Sequence, residues 1–158
     1  MSKIILIGGG SSSGKSHIIN LIVKDFGKEN ITHISIDDYY KCLDDIPFEE
    51  RCKINYDHPK AFDWPLFRKH VEELKNGNSI KKPIYDFSIH NRSKNTEFVE
   101  PKKIIIIEGI MALIDKNIRD NADLKVFINA SRERRLVRRI YRDQKERGRT
   151  FDSIVNKW

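Results

Sequence analysis

Residues 3–16 read KIILIGGGSSSGKS and carry the strongest structural signal in the chain. Lys3 to Ile7 is a short apolar run that predicts a buried strand, and the glycines after it predict a tight loop. Gly9 to Ser16 matches the pattern G-x-x-x-x-G-K-[ST], in which backbone N–H groups surround phosphate oxygens, the lysine reaches the β- and γ-phosphates, and the hydroxyl serves Mg²⁺. The stretch therefore predicts a phosphate-binding loop between a strand and a helix.

Short apolar runs alternate with helical patterns along the rest of the chain. Further strands are predicted at Ile31–Ile36, Lys103–Ile107 and Leu124–Ile128, and helices at Lys15–Lys24, Asp63–Gly77 and Ser131–Arg147. Ile80–Phe87 and Thr96–Val99 are predicted to pair as a hairpin across Asn91 to Asn95. Four consecutive isoleucines at 104–107 leave their strand no polar face, which is typical of a parallel sheet covered on both sides.

This alternation predicts an α/β fold, a P-loop NTPase-like three-layer α/β/α domain with a mainly parallel sheet. We expect a single domain over residues 1–158, with a small β-hairpin insertion at about 79–100 and a helical lid at about 139–152.

Composition excludes several other classes of protein. Hydrophobic residues make up 39% of the 158 residues and charged residues 34%, so a packed core is expected. No apolar run approaches the roughly 18 residues of a membrane-spanning helix, and the N-terminus lacks the pattern of a signal peptide. We therefore expect a cytoplasmic protein, with Cys42 and Cys52 as reduced thiols.

Positive charge is concentrated in one segment near the end of the chain. The net charge is +7, and residues 132–149 hold nine basic residues against three acidic ones. Four arginines at helical spacing share one face, namely Arg135, Arg138, Arg139 and Arg142. We expect them to close over a phosphoryl group. A solvated basic face is the alternative, and nucleic-acid contact is disfavoured because no aromatic residues interleave.

Two carboxylates follow predicted parallel strands, where ligands of such sheets bind. Glu108 comes directly after the four isoleucines and is expected to hold Mg²⁺, directly or through water. Asp37 follows the second strand and could accept a proton from an attacking hydroxyl or help to order the metal. A helix cap is the alternative for Asp37, and a surface carboxylate the alternative for Glu108. The chain has no NKxD element for guanine recognition, which disfavours a GTPase.

With these positions assigned, the chain resembles the uridine kinase family of P-loop kinases from Ile4 to about Ser153. Five ordered motifs beside the phosphate loop carry the resemblance: residues 35–40 (SIDDYY), 55–63 (NYDHPKAFD), 83–92 (PIYDFSIHNR), 108–110 (EGI), and 142–149, where Arg142-Asp143 precedes Arg147-Gly148-Arg149.

The resemblance implies transfer of the γ-phosphoryl group of ATP or GTP to the 5′-hydroxyl of uridine or cytidine. By position, Asp37 matches the general base, with Lys15 and Arg142 also expected in catalysis, and Ser16 and Glu108 match the magnesium-side residues. We expect the donor nucleotide to be bound by Gly9, Gly10, Ser11, Ser12, Ser13, Gly14, Lys15, Ser16, His17, Arg142, Arg147 and Arg149.

The resemblance also implies an acceptor site. Asp57 and Arg139 match groups that hold the ribose hydroxyls, and the expected substrate-binding residues as a whole are Tyr40, Tyr56, Asp57, Tyr85, Phe87, His90 and Arg139. Tyr85 and His90 match polar contacts to the pyrimidine, while Tyr56 and Phe87 match its aromatic wall. The expected partners are thus a nucleoside and a nucleoside triphosphate, without nucleic acid or membrane, and a homo-oligomer is left open.

The chain departs from the family pattern near its end. Family chains continue for several tens of residues, into a further strand, beyond the position of Trp158. Lys157-Trp158 stands where many relatives have glutamine and tyrosine, and that glutamine contacts the base. Two alternatives therefore stay open: a P-loop kinase of another small alcohol, such as nicotinamide riboside, pantothenate or a sugar phosphate, and an inactive nucleotide-binding domain.

Overall fold

A computed structural model describes all 158 residues. Its six strands are β1 (Lys3–Gly9), β2 (Ile31–Ser35), β3 (Ile80–Asp86), β4 (Asn91–Val99), β5 (Ile104–Gly109) and β6 (Leu124–Ile128). Its six α-helices are α1 (Lys15–Phe26), α2 (Phe48–Arg51), α3 (Trp64–Lys75), α4 (Lys116–Asn121), α5 (Arg132–Arg147) and α6 (Phe151–Val155). Short 3₁₀ segments cover Lys28–Asn30, Ile36–Tyr39 and Pro59–Ala61. None of the helices combines the length and the apolar character needed to cross a bilayer.

The main sheet is parallel throughout, in the order β2–β5–β1–β6. Its register aligns Gly8 of β1 with Gly109 of β5, and Ser35 of β2 with Glu108 of β5. The carboxyl ends of these three strands therefore meet at one edge. The phosphate loop, Asp37 and Glu108 all lie at that edge, where ligands of such sheets bind.

The sheet is buried on both faces along β1, β2 and β5, which confirms the predicted α/β fold, while the edge strand β6 is largely exposed. On one face, the strand residues Ile4, Leu6 and Ile107 pack in a cluster that includes Phe67 and Leu74 of α3. On the other face, Ile106 packs against Ile19 of α1 together with Ile7 and Ile31. Each fully buried isoleucine or leucine contributes about 1.5–3 kcal/mol of transfer free energy, so these strands anchor the domain.

The two best-defined helices have side-chain caps at their starts. Asp63 accepts a hydrogen bond from Leu66 N–H at the start of α3, and Ser131 accepts one from Arg134 N–H at the start of α5. Each cap satisfies a backbone donor that has no partner within the helix. Helices α2, α4 and α6 were not predicted, because their four to six residues are too short to show a periodic pattern.

The hairpin β3–β4 forms a separate antiparallel sheet, but the predicted position of its turn was wrong. Asn91 to Asn95 belong to β4, and the turn lies at residues 87–90, where His90 takes a φ of +49°. Tertiary contacts override the turn preference of asparagine. The buried Asn91 side chain accepts from Leu43 N–H at 2.8 Å and donates to Asp44 Oδ1 at 2.6 Å.

Candidate active site

The phosphate loop connects the end of β1 to the start of α1. Gly9 takes a φ of +153°, and a Cβ there would lie 2.6 Å from the carbonyl oxygen of Ile128, so a larger residue does not fit. Gly14 takes a φ of +107° at the N-cap of α1, where no side chain caps the helix. The N–H groups of the first turn are therefore free to bind an anion, and the helix dipole favours negative charge there.

Lys15 lies at the centre of the charged groups around this loop. Its Nζ donates to the carbonyl oxygens of Gly9 at 3.0 Å and Gly10 at 3.1 Å. Burial lowers the pKa of Lys15, while the negative charges of Glu108 and Asp37 act in the opposite direction. The ammonium group thus shares one electrostatic environment with both predicted carboxylates.

Asp37 lies on the 3₁₀ segment that follows β2. The Ser35 hydroxyl, which caps this segment, accepts a hydrogen bond from Asp37 N–H at 3.4 Å. Burial, and then the negative charge of Glu108, raises the pKa of Asp37 from 3.8 to about 6. A carboxylate with a pKa closer to neutrality is suited to accept a proton in a reaction, because its basicity is higher.

The pKa of Glu108 is lowered, whereas that of Asp37 is raised, although only 14% of the Glu108 side chain is exposed. Burial alone would raise the pKa of Glu108, but hydrogen bonds and charges from His33, Ser35 and Lys15 outweigh it and lower the pKa. Nε2 of His33 lies 3.8 Å from Glu108 Oε1. Glu108 is therefore held in its ionised form next to the phosphate loop.

The residues present fit an Mg²⁺ ion whose remaining ligands are substrate phosphates and water. No group of three or more His, Cys, Asp or Glu side chains is arranged to hold an ion. What the chain offers is the Glu108 carboxylate and the Ser16 hydroxyl on the first turn of α1. Mg²⁺ is commonly bound in this way, by one or two protein oxygens together with substrate phosphates and water.

Helix α5 directs two of its arginines to the phosphate loop and leaves two apolar side chains exposed. Arg138 Nη1 lies 3.4 Å from the Ser12 carbonyl oxygen, and Arg142 Nη2 lies 3.4 Å from Ser11 Oγ. By contrast, Val137 and Tyr141 are 68% and 70% exposed. The arginine face of α5 therefore packs against the phosphate loop rather than being fully solvated.

A single buried carboxylate, that of Asp143, organises these arginines. Its side chain is 0% exposed and lies within 4 Å of guanidinium nitrogens from Arg139, Arg142, Arg147 and Arg149. Burial would raise the pKa of Asp143, but the hydrogen bond from Arg142 and the surrounding positive charges lower it. A buried ionised carboxylate needs such partners, so Asp143 holds cations from α5 and the following loop together.

An aromatic cavity of about 800 Å³ lies beside the charged groups. Its aromatic walls are mutually packed: Tyr40 lies 4.9 Å from Tyr85, Tyr85 lies 5.1 Å from Phe87, and Tyr56 stacks on His90 at 5.6 Å between ring centroids. Burial is the main cause that lowers the pKa of His90, and nearby cations add to it, so its imidazole is neutral. The other lining residues are mostly polar, so the cavity offers aromatic surface for a planar base together with several hydrogen-bonding groups.

Two arginines of the cavity wall, Arg139 and Arg147, also lie near carboxylates of the predicted site. Arg147 lies 4.3 Å from the centroid of the Phe87 ring, and its positive charge also acts on Asp37. Arg139 Nη1 lies 3.5 Å from Asp57 Oδ2, and Arg139 Nε is buried without a hydrogen-bond partner. Asp57 thus offers a carboxylate acceptor and Arg139 a guanidinium donor at the cavity wall.

The structure brings together most of the residues singled out in the sequence, with His17 at the margin. His17 is exposed on the first turn of α1. Sequence reasoning missed Phe48 and Arg51 of α2, which lie beside the turn of the hairpin. Phe48 is 6.0 Å from the His90 ring, and Arg51 Nη1 donates to the Ile89 carbonyl at 3.1 Å. The local signals for this four-residue helix are Pro47 at its N-cap and the acidic Glu49 and Glu50 in its first turn.

Solved structures share this fold across nearly the whole chain. The phosphoribulokinase from Rhodobacter spheroides superposes with a TM-score of 0.67 at 16% identity, over 99% of this chain and 62% of that one. The D-glycerate 3-kinase from Cryptococcus neoformans var. grubii has a TM-score of 0.70 at 18% identity, over 98% of this chain and 74% of that one. These similarities show that the chain shares the α/β fold of these two structures.

Sequence comparison identifies much nearer relatives. The chain is 49% identical to the uridine kinase of Clostridium tetani, over 98% of this chain and 75% of the relative. It is 48% identical to the uridine kinase of Clostridium perfringens strain 13, over 100% of this chain and 77% of the relative. The model of the phosphoribulokinase / uridine kinase family matches residues 4–158. This chain therefore belongs to the phosphoribulokinase / uridine kinase family.

Proposed function

We propose that this chain transfers the γ-phosphoryl group of ATP or GTP to the 5′-hydroxyl of uridine or cytidine, giving UMP or CMP. One observation carries the proposal: the aromatic cavity shares the lining residues Asp57 and Arg139 with a neighbouring cavity that is lined by Gly10 and Ser11 of the phosphate loop. A nucleoside in the cavity would therefore lie next to a carboxylate and a phosphate site. The uridine kinase relatives at 48–49% identity support the same acceptor.

In the proposed reaction Asp37 accepts the proton of the 5′-hydroxyl. The hydroxyl oxygen then forms a bond to the γ-phosphorus, and the bond from that phosphorus to the β–γ bridging oxygen breaks, leaving the nucleoside diphosphate. Lys15 and Arg142 would stabilise the negative charge on the phosphoryl oxygens; their contacts with Gly9 and Ser11 of the loop support this role. Raised basicity at Asp37 favours the proton transfer.

Magnesium is part of this proposal. Ser16 and Glu108 would hold the ion, and when bound it would supply charge neutralisation for the donor phosphates. The lowered pKa of Glu108 supports this assignment, because a metal ligand must be deprotonated.

The acceptor site follows from the shape and polarity of the cavity. The base would lie among Tyr56, Tyr85 and Phe87, with the neutral His90 imidazole as a hydrogen-bonding group. The ribose hydroxyls would bond to Asp57 and to the guanidinium group of Arg139, whose Nη1 lies 3.5 Å from Asp57 Oδ2. Such directional bonds discriminate a nucleoside from alcohols that lack them, because an unmatched buried polar group is costly.

The direct test measures diphosphate formation by the purified chain with Mg²⁺ and ATP. We expect turnover with uridine and cytidine and none above background without an acceptor. Asp37→Asn should reduce kcat by about 10²- to 10⁴-fold, because that range is typical for loss of general-base help.

The matched control for this variant is Asp45→Asn, which changes an exposed aspartate of the following loop and should leave the rate unchanged. Retention of ATP binding by Asp37→Asn would localise the defect to the chemical step. If the folded, ATP-binding wild-type chain phosphorylates neither pyrimidine nucleoside, the proposed function is wrong.

A further inference from the structure

Lys82 is a buried lysine on β3 that the proposed reaction does not use. Only 7% of its side chain is exposed. Its ammonium group forms an ion pair with Asp38, lies 3.2 Å from Glu97 Oε2, and lies 3.4 Å from the Pro83 carbonyl oxygen. Lysine is rarely buried unless it is paired, so the surroundings of this residue are specific.

Asp38 connects this lysine to the reacting groups. It directly follows Asp37 on the same 3₁₀ segment. One of its carboxylate oxygens pairs with Lys82, and the other accepts from the backbone N–H of Tyr85 at 3.3 Å. Both oxygens of one side chain therefore hold β3 of the hairpin, and the neighbouring residue is the predicted general base.

The two elements joined in this way carry different halves of the site. The 3₁₀ segment carries Asp37, and the hairpin carries the Tyr85 wall of the aromatic cavity. A second connection, from Arg92 Nε to the Tyr40 carbonyl at 2.7 Å, lies at the far end of the segment. The Lys82–Asp38 pair is thus the connection next to Asp37, while Arg92 can keep the hairpin attached without it.

We propose that Lys82 is a positioning residue: its ion pair with Asp38 fixes the distance between the Asp37 carboxylate and the nucleoside cavity. This inference rests on the proposed function. Loss of the pair would leave the donor site intact, because Lys82 makes no contact with the phosphate loop. It would loosen the approach of the acceptor hydroxyl to Asp37, and small misplacements of reacting groups cost large factors in rate.

The test compares Lys82→Met, which keeps the length of the aliphatic stem but removes the charge, with Lys82→Arg, which keeps a cation. We expect kcat/KM for uridine to fall by about 10- to 100-fold in Lys82→Met. The loss should comprise both a lower kcat and a higher KM for uridine, while the dissociation constant for ATP stays unchanged. Lys82→Arg should recover at least part of the loss.

The matched control is Lys81→Met, which removes the exposed lysine next to it on the same strand and should leave kcat and KM unchanged. A purely structural role for Lys82 predicts a different pattern: a lower melting temperature and fewer active molecules, with ATP binding and turnover reduced in proportion and KM unchanged. That pattern would overturn the inference, as would kinetics of Lys82→Met within twofold of wild type.

If Lys82→Met does not fold, Asp38→Asn supplies the same test from the other partner. The amide oxygen can still accept from Tyr85 N–H, but the ion pair is lost, so the same split between uridine and ATP parameters is expected. Unchanged uridine kinetics in Asp38→Asn would overturn the inference. Failure of the wild-type chain to phosphorylate uridine or cytidine would be a separate result, which overturns the proposed function and this inference together.

Discussion

Acidification should reduce turnover through Asp37, and the structure gives the size of the effect. Burial and the charge of Glu108 raise the pKa of Asp37 from 3.8 to about 6. The difference of roughly two pH units corresponds to about 3 kcal/mol that favours the protonated form. Because only the ionised carboxylate can accept a proton, kcat/KM for uridine should be about tenfold lower at pH 5 than on its plateau near pH 8.

The assay measures initial rates with Mg²⁺ and saturating ATP between pH 5 and 8, at uridine concentrations well below KM. Under these conditions kcat/KM reports ionisations of the form of the enzyme that has not yet bound uridine. We expect a single acid limb with a midpoint near pH 6, set by the raised pKa of Asp37. The residual activity of Asp37→Asn should lack this limb, since the amide does not titrate.

Two results would refute this reasoning. A profile that stays flat down to pH 5 would mean that Asp37 is not the proton acceptor or that its pKa is not raised. An acid limb that persists in Asp37→Asn would assign the ionisation to another group.

Three further predictions concern stability. Asp37→Asn should raise the melting temperature by several degrees at pH 8. The reason is that the pKa of Asp37 is higher in the folded state than in the unfolded state, so the ionised carboxylate lowers the free energy of unfolding by about 1–3 kcal/mol. The gain should shrink as the pH falls from 6 to about 4, because the carboxyl group of the folded wild type then becomes protonated. Asp143→Asn should destabilise the fold by about 3–5 kcal/mol and raise the KM for ATP, because no fully buried negative charge then balances the surrounding arginines. The control is Gln144→Ala, which changes an exposed neighbour. An unchanged urea midpoint in Asp143→Asn would contradict this role. Phe67→Ala should cost about 3–5 kcal/mol in urea unfolding with little change in KM, because its side chain is 1% exposed in the core beneath the sheet.

The strands and the major helices were predictable because their patterns are local. The consecutive isoleucines of β5 indicate a buried strand, and the glycines at the end of β1 indicate a tight loop; neither prediction needs knowledge of the rest of the fold. The same holds for the capped starts of α3 and α5, where Asp63 and Ser131 satisfy helix donors. These elements fix the edge of the sheet at which the carboxylates and the loop meet.

The rest depends on contacts between residues far apart in the sequence. Asn91 has the composition of a turn residue, yet its bonds to Leu43 and Asp44 place it in a strand. Similarly, no local pattern shows that Lys82 is buried against Asp38, 44 positions earlier. The four arginines around Asp143 lie within six residues of it, but their spacing does not show that the Asp143 side chain is fully buried. The sequence indicated the arginine face of α5, but only the fold shows the carboxylate that orders it.

A crystal structure of the chain with uridine and a non-hydrolysable ATP analogue would test the central claim most directly. We predict the base among Tyr85, Phe87 and His90, with the 5′-oxygen about 2.6–3.2 Å from an Asp37 carboxylate oxygen and in line with the γ-phosphorus above Lys15. A nucleoside bound outside the aromatic cavity, or a 5′-oxygen beyond hydrogen-bond reach of Asp37 in the ternary complex, would contradict it.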